Sequence, residues 1–191
     1  VEVEIKPFPL YEILDKAVKE HPDRDAQIFF GRRISYRILG DHSDRLAKAF
    51  RELGVGKGDV IALHMPNNPA YTITFFAALK IGAVVSPMNP LYTPREIAYH
   101  LKSSGSKILV TSNVIYNNVE QALKDVKVER VIVSGIEDYM SPIMKPLARM
   151  KLKPPRISYS DTILSYMDLI KSHSPSSFRE KIDPSEDLAA L

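Results

Sequence analysis

Residues 59–69 read DVIALHMPNNP, residues 70–81 read AYTITFFAALKI and residues 82–94 read GAVVSPMNPLYTP. Val60–Leu63 is an apolar run of strand length. Asn67, Asn68 and Pro69 punctuate it, and proline suits the first turn of a helix because its missing N–H would find no intrahelical acceptor there. Tyr71, Ile73, Phe75, Phe76, Ala77, Ala78, Leu79 and Ile81 follow with almost no charge. A helix apolar on nearly every face is a buried one. Gly82 stops it, and Ala83–Ser86 is a second apolar strand. A strand–helix–strand unit of about 30 residues has parallel strands and a right-handed crossover.

Working outward toward the amino terminus, Leu10, Ile13, Leu14, Ala17 and Val18 have the spacing of an amphipathic helix, ended by His21-Pro22. Ala26–Phe30 and Arg33–Ser35 flank the turn Gly31-Arg32 and read as a small hairpin. Tyr36, Leu39, Ser43, Leu46, Ala47, Phe50 and Leu53 mark one face of a second helix that Gly54 closes. The glycines of Gly54-Val55-Gly56-Lys57-Gly58-Asp59 do not make a phosphate loop. Such a loop follows a strand and opens a helix, whereas this one follows a helix and opens a strand.

Toward the carboxyl terminus, Thr93-Pro94-Arg95-Glu96 has the spacing of a capping box. It opens a helix through Ile97, Ala98 and Leu101. Lys107–Thr111 and Glu129–Ser134 read as further strands, with a helix over Asn113–Val126 between them. This alternation gives an α/β fold with an open, largely parallel, Rossmann-like sheet flanked by helices, preceded by the N-terminal helix and hairpin. Residues 138–157 form a basic, proline- and methionine-rich insertion holding one or two helical turns. Ser160 or Asp161 is expected to cap a short helix through Ile163, Leu164, Met167 and Ile170. The reading gives one α/β subdomain over residues 1–172. A linker and the start of another strand occupy 173–191, where the apolar Leu188–Leu191 looks like a strand cut short.

The 191 residues include no cysteine, which removes disulfides, thiolate zinc sites and a cysteine nucleophile together. No apolar run reaches the roughly 20 residues of a membrane span, and the charged start lacks a signal-peptide core. A cytoplasmic location is the simplest expectation. The net charge of +3 is too small to imply nucleic acid. His21, His42, His64, His100 and His173 lack metal-ligand spacing, and ordinary surface or strand-end roles are expected for them. His64 stands out because it ends a strand where α/β ligand sites gather. The loops His64–Asn68, Pro87–Thr93, Thr111–Asn113 and Ser134–Glu137 follow the strands. Their prolines and asparagines serve either as turn formers or as a binding rim. The stretch 140–156 reads as a solvated insertion, as a peripheral contact with an anionic membrane, or as a nucleic-acid contact. The last lacks stacking aromatics, so no nucleic acid is expected.

The ordered series of His21–Ala26, Ile34–Leu39, Gly54–Val60, Met65–Pro69 and Lys80–Pro90 resembles the N-terminal part of the AMP-forming acyl-CoA synthetases, within the adenylate-forming superfamily. The Asn89–Ile97 loop and the basic insertion look most like fatty-acyl-CoA ligases of medium or long chain preference. The resemblance implies a two-step ligase reaction using ATP, Mg²⁺ and CoA on a fatty acid. It also implies that the phosphate loop, ribose-binding aspartate, hinge and catalytic lysine of the family lie beyond Leu191. No catalytic or metal residue is therefore carried over, and the 191 residues alone are expected to be inactive and not to bind ATP tightly. By matching position, Pro90, Leu91, Tyr92 and Thr93, with Ser112 and Asn113, would border the entrance used by CoA. The expected partners are the remainder of the same chain, the fatty acid and a second copy in a homodimer, and the composition of 140–156 adds the peripheral membrane contact given above. A stand-alone α/β binding module without catalysis is the alternative.

Overall fold

The strand–helix–strand unit forms as its sequence dictates. In the computed structural model, which describes residues 7–191, β3 (Val60–His64), α3 (Pro69–Lys80) and β4 (Val84–Met88) follow one another. β3 and β4 are parallel, with Val60 opposite Val84 and His64 opposite Met88. Pro69 occupies the first turn of α3, and the Asn68 side chain caps it by accepting from the Tyr71 N–H. Gly82 ends the element at φ +72°, and a Cβ there would lie 2.9 Å from the Glu180 side chain. Only glycine meets both demands without strain.

Before this unit lie α1 (Glu12–Glu20), the antiparallel hairpin of β1 (Asp25–Phe29) and β2 (Arg32–Ser35), and α2 (Tyr36–Glu52). After it come α4 (Pro94–Ser104), β5 (Ile108–Ser112), a 3-10 turn at Asn113–Ile115, α5 (Tyr116–Ala122), β6 (Arg130–Ser134), α6 (Met144–Leu152), β7 (Ile163–Ser165) and α7 (Tyr166–Ser172). The five strands of the main sheet are all parallel in the order β4-β3-β5-β6-β7.

The order places α1, α2, α3 and α7 on one face of the sheet. There Leu14, Leu46, Phe50, Ile73, Ala77 and Tyr166 pack on Ile61, Leu63, Val85, Val110 and Ile132. α4 and α5 cover the other face, where Ile97, Leu101 and Val119 pack on Ala62, Leu109, Val131 and Val133. Each fully buried large side chain in these two cores contributes about 1.5–3 kcal/mol. Among the described residues no helix is long and apolar enough to cross a membrane.

The structure corrects the reading of residues 160–170. Ile163–Ser165 is a fifth strand, with Val131 opposite Ile163, and the helix starts only at Tyr166. Ser165, not Ser160 or Asp161, is its N-cap, accepting from the Asp168 N–H at 3.3 Å. Ser160 instead receives the N–H groups of Thr162 and Ile163, which turns the chain into β7. Pairing with the open edge of β6 outweighs the weak helical spacing of a few apolar residues. At the opposite edge the apolar end runs along β4 as a single parallel bridge, Val85 with Ala190. The Val85 N–H donates to the Ala189 carbonyl and the Leu191 N–H to the Val85 carbonyl, each at 3.0 Å.

Candidate functional site

β3 is flanked by β4 on one side and β5 on the other, so successive connections leave it in opposite directions. The carboxyl ends of β3 and β5 are thus a switch point, where open α/β sheets bind ligands. The loops after β3, β4, β5 and β6 meet along this edge.

His64 ends β3 at the switch point and is completely buried. Its Nδ1 lies 3.4 Å from Thr111 Oγ1 on β5, and its Nε2 has no partner among the protein atoms. Burial pushes its pKa down to about 4, against an upward pull from the Asn89 backbone and with a small further push from His100. The imidazole is therefore neutral at pH 7. His100, on α4, meets Ser86 Oγ at 2.8 Å and tilts against the Tyr92 ring at 6.1 Å. Burial lowers its pKa as well. The sequence marks His64 as a strand-end residue but gives no sign that the half-buried His100 would stand near enough to act on it.

The β4–α4 loop carries Pro90, Leu91, Tyr92 and Thr93. Asn89 Oδ1 accepts from the Leu91 N–H at 2.9 Å, which leaves the Leu91 side chain 84% exposed. Thr93 forms the expected capping box: its Oγ1 accepts from the Glu96 N–H, and Glu96 Oε2 accepts from the Thr93 N–H at 2.8 Å. Those bonds from Thr93 hold the Glu96 carboxyl below its usual range.

Ser112 and Asn113 lie at the end of β5, and both are buried. Asn113 is fully engaged. Its Nδ2 donates to Glu137 Oε2 at 3.1 Å and its Oδ1 accepts from the Ile136 N–H at 3.0 Å. Glu137 in turn accepts from Arg149 Nε of α6 at 2.8 Å. Burial pushes the Glu137 pKa up, but the bonds from Arg149, its own backbone and Asn113 outweigh it and hold the group ionised. The β4–α4 loop is tied to α5, the helix that follows the β5 end, by Asn118 Nδ2, which donates to the Tyr92 carbonyl at 3.2 Å. Thus the structure brings Tyr92 and the β5 end to one rim, exposes Leu91 and Thr93 there, and turns Ser112 and Asn113 inward.

Among the described residues no three His, Cys, Asp or Glu side chains converge to hold a metal ion. The rim offers shape, backbone groups and neutral polar side chains, which suits binding and positioning.

Across residues 14–189 the sequence matches the family model described as AMP-binding enzyme. The chain belongs to that family. The long-chain-fatty-acid–CoA ligase of Haemophilus influenzae is 35% identical over 133 residues, covering 69% of this chain and 24% of that protein. The long-chain-fatty-acid–CoA ligase of Bacillus subtilis is 25% identical over 186 residues, covering 95% of this chain and 33% of that one. The crystal structure of a long-chain-fatty-acid–CoA ligase from Archaeoglobus fulgidus superposes with a TM-score of 0.76 at 21% identity, covering 99% of this chain and 35% of that one. At that identity the likeness shows the fold. The chain therefore spans about a quarter to a third of the length of these relatives.

Proposed function

We propose that this AMP-binding family chain is part of a fatty-acid–CoA ligase. The observation that carries the reading is the family match over residues 14–189, joined by long-chain-fatty-acid–CoA ligases among its relatives. In the first step a fatty-acid carboxylate oxygen attacks the α-phosphorus of ATP and pyrophosphate leaves. In the second the CoA thiolate attacks the acyl carbon, the acyl–oxygen bond of the adenylate breaks and AMP leaves. The carboxylate, a poor electrophile, thus gains a good leaving group.

The described residues contribute binding and not proton transfer. His64 is neutral and closed off, and Asn113 and Glu137 are consumed by their own bonds. The reading assigns the Mg²⁺ ion that assists such a reaction, together with the adenylating groups, to the part of the protein outside these residues. The rim formed by Pro90–Thr93 and the β5 end at Ser112 and Asn113 borders the CoA entrance. What supports this is its place at the switch-point edge and the exposed Leu91 at its lip.

The test is fatty-acid-dependent pyrophosphate release and thioester formation by the full-length protein. Release with a fatty acid and thioester on adding CoA are expected; silence across short, medium and long chains overturns the reading. The 191 residues by themselves are expected to give no ATP–pyrophosphate exchange, and measurable exchange would place catalytic groups within them.

A further inference from the structure

The ends of β3, β4 and β5 lie level. His64 stands opposite Met88 of β4 and opposite Thr111 of β5, so Asn89, the residue after Met88, leaves the sheet beside it. His64 and Thr111 are both completely buried, and the Thr111 hydroxyl lies 3.4 Å from His64 Nδ1. The Asn89 backbone favours a protonated ring at His64, and of its two polar groups only the carbonyl can do so. A carbonyl accepts and never donates. The nitrogen that faces it therefore carries the proton of the neutral ring, and the other nitrogen accepts from the hydroxyl. With Nδ1 on Thr111, the proton belongs to Nε2. That nitrogen stops short of full hydrogen-bond geometry and has no other protein partner. Contacts of this kind often tighten only when the substrate is in place.

The Asn89 carbonyl is also the pivot of the loop that follows. It accepts from the Tyr92 N–H at 3.1 Å, while Asn89 Oδ1 accepts from the Leu91 N–H at 2.9 Å. A carbonyl oxygen has two lone pairs, so one remains for the imidazole. The two bonds fold residues 89–92 into a turn that throws the Leu91 side chain outward. Elsewhere the turn is steadied by Asn118 on the Tyr92 carbonyl and by the Tyr92 ring against His100, which meets Ser86 Oγ of β4. The contact through His64 ties the same turn to β3 and β5, the two strands of the switch point.

We propose that His64 is a positioning residue for CoA: its Nε2–H, aimed by the Thr111 hydroxyl, seats the Asn89 carbonyl and so fixes the Pro90–Thr93 rim in the shape that CoA meets. Burial suits this role. Water does not compete for a closed-off ring, and a ring that stays neutral at pH 7 keeps one donor and one acceptor in fixed places. An apolar residue of similar size would leave both the hydroxyl and the carbonyl without this partner. The inference rests on the reading of this rim as the CoA entrance and adds to it the group that holds the rim in place.

Steady-state kinetics of the full-length protein, together with hydrogen–deuterium exchange over residues 89–93, test it. His64→Leu should raise the KM for CoA about fivefold or more and speed exchange at the Leu91 and Tyr92 amides by a similar factor. The KM for ATP should stay within about twofold. His64→Gln offers an amide N–H to Asn89 and an oxygen to Thr111, and should bring both readings most of the way back. Thr111→Val removes only the hydroxyl and suits a strand. It should move the KM for CoA in the same direction, and it carries the test alone if His64→Leu does not fold. An unchanged KM for CoA in these variants overturns the proposal. So does a rise in KM shared equally by CoA and ATP, or a His64→Gln variant as impaired as His64→Leu. Absence of fatty-acid-dependent pyrophosphate release in the wild-type protein would instead defeat the ligase reading. Exchange that quickens in His64→Leu while the KM for CoA stays put would leave the turn anchored by His64 and remove the rim from the CoA entrance.

Discussion

His64 is the residue whose environment departs furthest from its place in the sequence. As a residue at the end of β3 it could have faced solvent; instead it is completely buried with Nε2 unpartnered. Its folded-state pKa of about 4 lies below the ordinary 6.5. The unfolded chain therefore binds a proton that the folded chain refuses. Stability from this residue is whole above pH 6.5 and is lost as pH falls toward 4, by up to about 3 kcal/mol. Asp138 works in the opposite sense. Burial raises its pKa from 3.8 to about 6, against bonds from the Gly135 N–H and Ser134, so the folded state takes up a proton more readily between those values. The two effects offset each other between pH 4 and 6. We expect Asp138→Asn to steepen the acid loss of stability in that window, and His64→Gln to make that loss shallower than in the wild type. Urea midpoints measured from pH 7 to pH 4 read both slopes; parallel profiles for wild type and the two variants would refute the assignment.

At the scale of elements, the loop between β4 and α4 divides its labour between neighbouring residues. Thr93 holds the helix start through its capping box, while Leu91 projects into solvent with no packing role. Thr93→Ala should therefore cost about 1 kcal/mol of stability. Leu91→Asp should leave the melting temperature unchanged and raise the KM for CoA of the full-length protein, leaving that for ATP as it was. An unchanged KM for CoA would detach this loop from the CoA entrance. The capping box was legible because a local pattern has a local cause: proline, threonine and glutamate at fixed offsets act within one turn. The all-round apolar composition of α3 was equally plain. β7 was not, because Ile163 and Leu164 become a strand only through the free edge of β6, some thirty residues earlier in the chain. Ser165 stands three residues before Asp168, a helix-start signal that would have placed α7 correctly. The inward turn of Ser112 and Asn113 was hidden for the same reason as β7, since Glu137 and Ile136, which engage Asn113, come from the next strand's loop.

Across the whole molecule, one charge cluster fastens parts that no local pattern connects. Lys80, at the end of α3, is completely buried. Its ammonium meets Asp44 of α2 at 2.8 Å and Asp15 of α1 at 3.4 Å. Arg179 closes the cluster on both acids, at 2.9 Å to Asp44 and 2.6 Å to Asp15. Residues 173–186 form no helix or strand, in keeping with their polar composition, yet they are clasped to the body. The Glu180 N–H donates to the Lys80 carbonyl at 2.8 Å, and Arg51 stacks on Phe178 at 3.7 Å. From the sequence Lys80 was a single charge on an otherwise apolar helix, and its partners at positions 15, 44 and 179 were beyond reach. A buried ion pair adds little over an apolar pair of similar size, but removing one partner strands the other's charge. The cluster therefore predicts an asymmetry. Asp44→Ala leaves the Lys80 ammonium buried with only its longer contact to Asp15, and should destabilise by about 3 kcal/mol. Lys80→Met removes the buried charge, keeps the volume and leaves both acids paired with Arg179, so its cost should be clearly smaller. Urea midpoints at pH 7 rank the two variants, and limited proteolysis within 173–186 should accelerate in Asp44→Ala before it does in Lys80→Met. If Lys80→Met is the more damaging, the ammonium is a net source of stability and the cluster does more than satisfy a charge that α3 carries into the core.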